Sequence, residues 1–148
     1  MNRLTILFGA AVCVIMLIAS GFPATAEQQA DLPMATLVKG NSAFAVQLYQ
    51  QLSAGTGNLF FSPFSVSSAL AMTYAGAREN TAAEMKTAMS FGLDQEPLHD
   101  SFSQLNENLA ATANSDGQKL NIANGLCLTG GDVSEEFKVV LQKSYKAE

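Results

Sequence analysis

Hydrolysis by a covalent route needs a nucleophile and a base within its reach. The chain has many serines but a single histidine among 148 residues, His99. His99 stands beside Asp100 at the start of a helical pattern. Adjacent helical residues point in different directions, so the two form no dyad, and His99 is expected on the surface. No G-x-S-x-G elbow is present, and neither Ser62 nor Ser65 has a base evident in the sequence. One histidine and two cysteines, Cys13 and Cys127, offer no paired spacing for a metal. No glycine-rich loop opens a helix to hold a phosphate. Glu135-Glu136 reads as a helix start that favours negative charge. No catalytic, metal or cofactor residue is therefore expected. A secreted hydrolase survives only as the rival class, without a triad to support it.

What remains is a set of polar side chains inside apolar surroundings. From Gly40 to Ala77 there is no Asp, Glu, Lys or Arg. Within that run, Ser62-Pro63 reads as a helix start: a serine oxygen can accept from an orphan N–H, and proline at the first helical position gives up nothing. Gly76 is the expected stop, in the left-handed conformation that ends many helices. Between them Phe64, Val66, Ala69, Leu70, Ala71, Met72 and Tyr74 go round the helix, the pattern of a buried element. Leu59-Phe60-Phe61 before it reads as a short strand. Ser62 and Ser65 must find partners, either in a hydrogen-bonded cluster or at the cap.

The elements around this stretch are set by period and punctuation. Glu27 to Pro33 is polar and reads as a flexible lead-in. A first helix is expected to start between Thr36 and Asn41, with Phe44, Ala45, Leu48 and Leu52 on its apolar face, and to end at Ala54-Gly55-Thr56-Gly57. Thr81-Ala82-Ala83-Glu84 has the form of a capping box, with Thr81 as the cap. Leu98, Phe102, Leu105 and Leu109 then align along a helix from about Pro97. Lys119 to Leu128 changes to a period of two. Leu120, Ile122, Leu126 and Leu128 share one face with Asn124, whose amide must bond to something, such as the backbone of a neighbouring element. The opposite face is small, so both faces are expected to be covered, and Cys127 is expected as a buried apolar residue. Asp132 to Glu135 caps a last helix that turns Val133, Phe137, Val140 and Leu141 inward. This order, helices with partly segregated strands, predicts an α+β fold.

The N-terminus reads as an address. Arg3, an apolar run from Leu4 to Phe22 and Ala24-Thr25-Ala26 describe a secretory signal over residues 1–26, followed by a domain over 27–148. Its length leaves an uncleaved membrane anchor as the rival, the one way the chain would meet a membrane. A secreted product, extracellular or periplasmic, is expected. Removal of the leader leaves Cys127 as the sole cysteine, hence no internal disulfide. The net charge of −5, without basic clusters, argues against nucleic acid and anionic membrane surfaces.

The stretch Asn58 to Gly76, followed by Ala77-Arg78-Glu79-Asn80-Thr81, resembles the N-terminal signature of the serpins: an Asn, an apolar strand, Ser-Pro-x-Ser, a helix of small and apolar residues, then Gly-Ala and a Thr. Asn41 to Tyr49 looks like that family's first helix, and Leu120 to Leu128 like its next long strand. The likeness runs from about Leu37 to Glu148. It implies the N-terminal part of a serpin fold and an inhibitor of serine, and in some members cysteine, proteases. Such an inhibitor works as a suicide-substrate trap whose cleaved bait loop inserts into the main sheet. A non-inhibitory serpin-like binding protein is the alternative. The likeness matches Ser62 and Ser65 to the two serines of the family's shutter. It places Asn58 at the head of the strand into it, Asn124 in a strand of the sheet that opens, and Thr81 at the Thr after Gly-Ala. The bait, or reactive-centre, loop is expected beyond Glu148, which makes the sequence a fragment. Some members bind heparin through the helix matching Pro97 to Ala110. Here that segment has Asp100 and Glu107 and no Lys or Arg, so heparin is not expected there.

Overall fold

The computed structural model describes residues 26–113 and 119–148. The apolar leader expected at the N-terminus lies outside the described residues, apart from its last position. Five helices are present among them: α1 Ala26–Leu52, α2 Pro63–Gly76, α3 Glu79–Ala88, α4 Gln95–Ala113 and α5 Glu135–Tyr145. None of these is long and apolar enough to cross a membrane. Asp31–Glu148 forms one compact unit.

α2 sits at the centre of that unit and touches α3, α4 and α5. Its low polarity is what allows this, because a helix with neighbours on several sides cannot carry a charged face. Ala71, Met72, Tyr74 and Ala75 join Leu37 and Phe44 of α1, Leu98 and Phe102 of α4, and Leu141 and Tyr145 of α5 in one core. The enclosure is incomplete: Ala69, Leu70 and Thr73 remain exposed. α4 places Leu98 and Phe102 fully inside, with Leu105 and Leu109 half-buried. α5 starts at Ser134, whose hydroxyl accepts from the Phe137 N–H at 3.3 Å, and it buries Leu141. Both helices follow the sequence pattern.

Other expectations are corrected. The first helix begins at Ala26 and runs through Pro33, where polarity and a proline predict a lead-in. A proline interrupts one hydrogen bond of a helix without abolishing the turns on either side. Leu52 stays exposed on α1, and Leu37, outside the expected stripe, is buried. Gly76 does not turn left-handed; among the described glycines the positive φ angles are at Gly57 and Gly131. Gly76 instead makes room, since a Cβ there would lie 3.2 Å from the Phe137 ring of α5.

No strand forms among the described residues. Leu59-Phe60-Phe61 is neither helix nor strand, with Phe60 wholly exposed. Lys119 to Leu128 likewise takes no regular structure, and its two faces are not covered. Leu120, Ile122, Leu126 and Leu128 are each more than a third exposed, and Cys127 is exposed. A strand is defined by its partner's hydrogen bonds, which an alternating pattern requires but cannot supply.

Candidate functional site

Ser62 is extended (φ −107°, ψ 104°) and Pro63 begins α2. The Ser62 hydroxyl oxygen accepts from the backbone N–H of Ser65 at 3.3 Å and from the Ser65 hydroxyl at 3.0 Å. One oxygen thus caps the helix and ties the two serines together. Both hydroxyls are exposed, so their loss should cost only what a cap is worth. Ser62→Ala is expected to lower stability by about 1 kcal/mol. Ser65→Ala should cost less, because its N–H still reaches Ser62. Urea midpoints of the two variants check the order.

Asn124 is held from the other side. Its Nδ2 donates to the backbone oxygen of Tyr145 at 2.8 Å, the neighbouring backbone that its place among aliphatics demands. The segment is fastened next to it by two backbone bonds. Leu126 N–H donates to the Glu148 oxygen at 3.1 Å, and Glu148 N–H donates to the Asn124 oxygen at 3.3 Å. Ser62, Ser65 and Ser68 of the α2 side, and Leu120, Ile122 and Asn124 opposite, line one groove of about 510 Å³. Of the five residues singled out in the sequence, three therefore meet here. Asn58 and Thr81 are exposed and lie outside the groove.

Thr81 is also not a cap. α3 starts at Glu79, two residues earlier, and Arg78 occupies the cap position without a side-chain capping bond. Glu84 accepts from the Asn80 side chain at 2.7 Å instead. The Arg78 guanidinium reaches back and donates to the Ala75 and Ala77 oxygens at 2.8 and 2.9 Å. Gln95 also reaches this helix end, donating to the Tyr74 oxygen at 2.7 Å and the Ala77 oxygen at 3.1 Å. The carbonyls left open at the end of α2 take these donors.

Two side chains escape the sequence reading. Ser68 is 2% exposed and its hydroxyl has no hydrogen-bond partner among the described residues. Its spacing of three from Ser65 puts it on the same helix face, a signal present in the sequence. His99, expected at the surface, is buried. Its Nδ1 lies 2.7 Å from the Tyr145 hydroxyl, and burial lowers its pKa to about 4. Burial likewise pushes the Tyr145 phenol up. The helix that covers His99 lies more than thirty residues downstream, so no local pattern announces it.

Hydroxyls and an amide without a base can hold backbone in register but cannot move protons in a reaction. Among the described residues no three His, Cys, Asp or Glu side chains converge on a metal.

The family model described as Serpin (serine protease inhibitor) matches residues 39–148. This chain belongs to the serpin family. Serpins are inhibitors rather than enzymes, so the hydrolase alternative falls. The chain is similar to leukocyte elastase inhibitor A of Mus musculus, 43% identical over 89 residues, covering 59% of this chain and 23% of that protein. Its likeness to leukocyte elastase inhibitor A of Rattus norvegicus is 38% over 121 residues, 78% of this chain and 30% of that protein. Intracellular coagulation inhibitor 2 of Tachypleus tridentatus is 33% identical over 141 residues, 90% of this chain and 34% of that protein. This serpin chain thus spans roughly a quarter to a third of the relatives it matches.

The last comparison corrects the expected location. A serpin named as intracellular aligns with 90% of this chain. It overturns the reading of a secreted product, extracellular or periplasmic, which rests on Arg3, the apolar run and Ala24-Thr25-Ala26.

Proposed function

We propose that this chain is the N-terminal part of a serpin that inhibits a serine protease by the family's conformational trap. The observation that carries the reading is the serpin match across residues 39–148. In the whole protein the bait loop lies downstream of Glu148, is cleaved by the protease, and inserts into the main sheet. Serpins are themselves the standard case of such strand addition. Residues 26–148 supply no bait. They supply the shutter, where Ser62 and Ser65 fix the start of α2 and Asn124 fixes the strand above it.

In that whole protein the fold is α+β, and Lys119 to Leu128 becomes a sheet strand. Two features support this. The bonds from Leu126 N–H to Glu148 O and from Glu148 N–H to Asn124 O form the first rung of a parallel ladder. The exposed aliphatics of the segment are the surface that a sheet and its covering layer would bury.

The relatives named as leukocyte elastase inhibitors make an elastase-like protease the first target to try. The test incubates the full-length protein with elastase-like, trypsin-like and chymotrypsin-like proteases and looks for a covalent complex that survives denaturant. Such a complex is expected with the full-length protein and not with residues 1–148 alone. No complex with any protease would favour the non-inhibitory binding protein. A complex with the 148 residues alone would remove the bait loop from its proposed place.

A further inference from the structure

His99 of α4 is 5% exposed, and its ring is closed in by Tyr145 at a centroid distance of 5.7 Å and Tyr74 at 6.2 Å. One ring nitrogen, Nδ1, is satisfied by the Tyr145 hydroxyl at 2.7 Å. Either the phenol donates to a bare Nδ1, or Nδ1–H donates to the phenol oxygen. The other nitrogen, Nε2, is buried and has no hydrogen-bond partner among the described residues. A neutral ring leaves one weakly polar atom unpaired. A doubly protonated ring would leave a charged N–H without an acceptor, which is far more costly.

Tyr145 does two jobs at once. Its hydroxyl meets His99, while its backbone oxygen accepts from Asn124 Nδ2 at 2.8 Å. Three residues further on, Glu148 pairs with the backbone of Asn124 and Leu126. The contact between α4 and α5 is therefore continuous with the anchorage of the Asn124 segment.

We propose that the His99–Tyr145 pair is an acid-sensitive latch that fastens the end of α5, and with it the Asn124 segment, to α4. Acidification protonates His99, expels it from between the tyrosines and releases both.

The charges near the ring do not provide the missing acceptor. Glu96 and Asp100 on α4, Arg78 after α2, and Glu136 and Lys143 on α5 line the adjoining cleft. Asp100 favours the charged ring, but Lys143 holds its carboxylate at 2.9 Å. Burial prevails, and the pKa falls from 6.5 to about 4. A lowered value fixes the sign: the latch is at full strength above pH 6.5 and is lost as the pH falls towards 4.

The test uses the full-length protein and compares wild type with His99→Asn, which keeps a group for the phenol but does not titrate. Amide hydrogen exchange is followed from about pH 7.5 to 4.5, each pH compared between the two proteins so that intrinsic exchange cancels. In wild type, opening at Gln142 to Glu148 and Asn124 to Leu126 should rise on the order of 100-fold relative to the variant. The middle of α3, which makes no substantial contact with α4 or α5, should show no such difference. Titration of the wild-type ring by NMR needs no variant to fold, and its midpoint should fall below about pH 5. A midpoint near 6.5 would overturn the latch, as would equal acid response in the two proteins or loosening spread evenly over the chain. This inference is independent of protease inhibition and would stand if no protease complex formed.

Discussion

Phe102→Ala is expected to remove about 3–5 kcal/mol of folding stability. Phe102 is wholly buried on α4 and meets the Tyr145 ring at a centroid distance of 5.4 Å. The substitution deletes a ring and leaves a cavity between α4 and α5 that helices on both sides prevent from collapsing. It also takes away one wall of the space that holds Tyr145, so α5 and the Asn124 segment should loosen together. A loss of this size approaches the whole stability of an ordinary domain, about 5–15 kcal/mol. Leu109→Ala, on the same stripe but half-buried, should cost closer to about 1 kcal/mol. Urea unfolding of the full-length variants decides. Equal costs at the two positions would mean that α4 is not held in the way described.

Gly40→Ala is the second large effect, and here two tendencies oppose each other. Gly40 lies inside α1, where replacing glycine by alanine ordinarily stabilises a helix by about 1 kcal/mol. A Cβ at this position, however, would run into the backbone carbonyl of Ser90, in the turn after α3. A flexible side chain could step aside, but this carbonyl belongs to a tight turn. Ser90 has a φ of 56° and its N–H donates to the Thr87 oxygen at 3.1 Å. The overpacking penalty of about 1–3 kcal/mol should therefore exceed the gain in helix propensity. The variant should melt lower than wild type. A raised melting temperature would show that α1 and this turn are not in contact.

Much of the local structure is legible in the sequence because its cause lies within four residues. Ser62 and Pro63 mark a helix start by the bonds a serine can offer and the one a proline lacks, and the helix starts there. Ser134 does the same for α5. The stripe of Leu98, Phe102, Leu105 and Leu109 declares one apolar face whatever it packs against. Asn124 among aliphatics demands a backbone partner and has one in Tyr145. The Asn58 to Gly76 stretch identifies the family, which the match over residues 39–148 bears out.

Only the tertiary structure decided the rest. His99 is buried because α5 lies across α4, and its partner Tyr145 is 46 positions away. Arg78 and Gln95 place their donors on the carbonyls at the end of α2, and α3 starts at Glu79 with Thr81 inside the helix. Gly76 serves the Phe137 ring rather than a left-handed turn. Lys119 to Leu128 carries the alternation of a strand without becoming one, because a ladder needs a second chain segment alongside. Helix hydrogen bonds close over four residues and can be read from a window of sequence. Burial, strand pairing and close approach each depend on a second segment whose position no window contains.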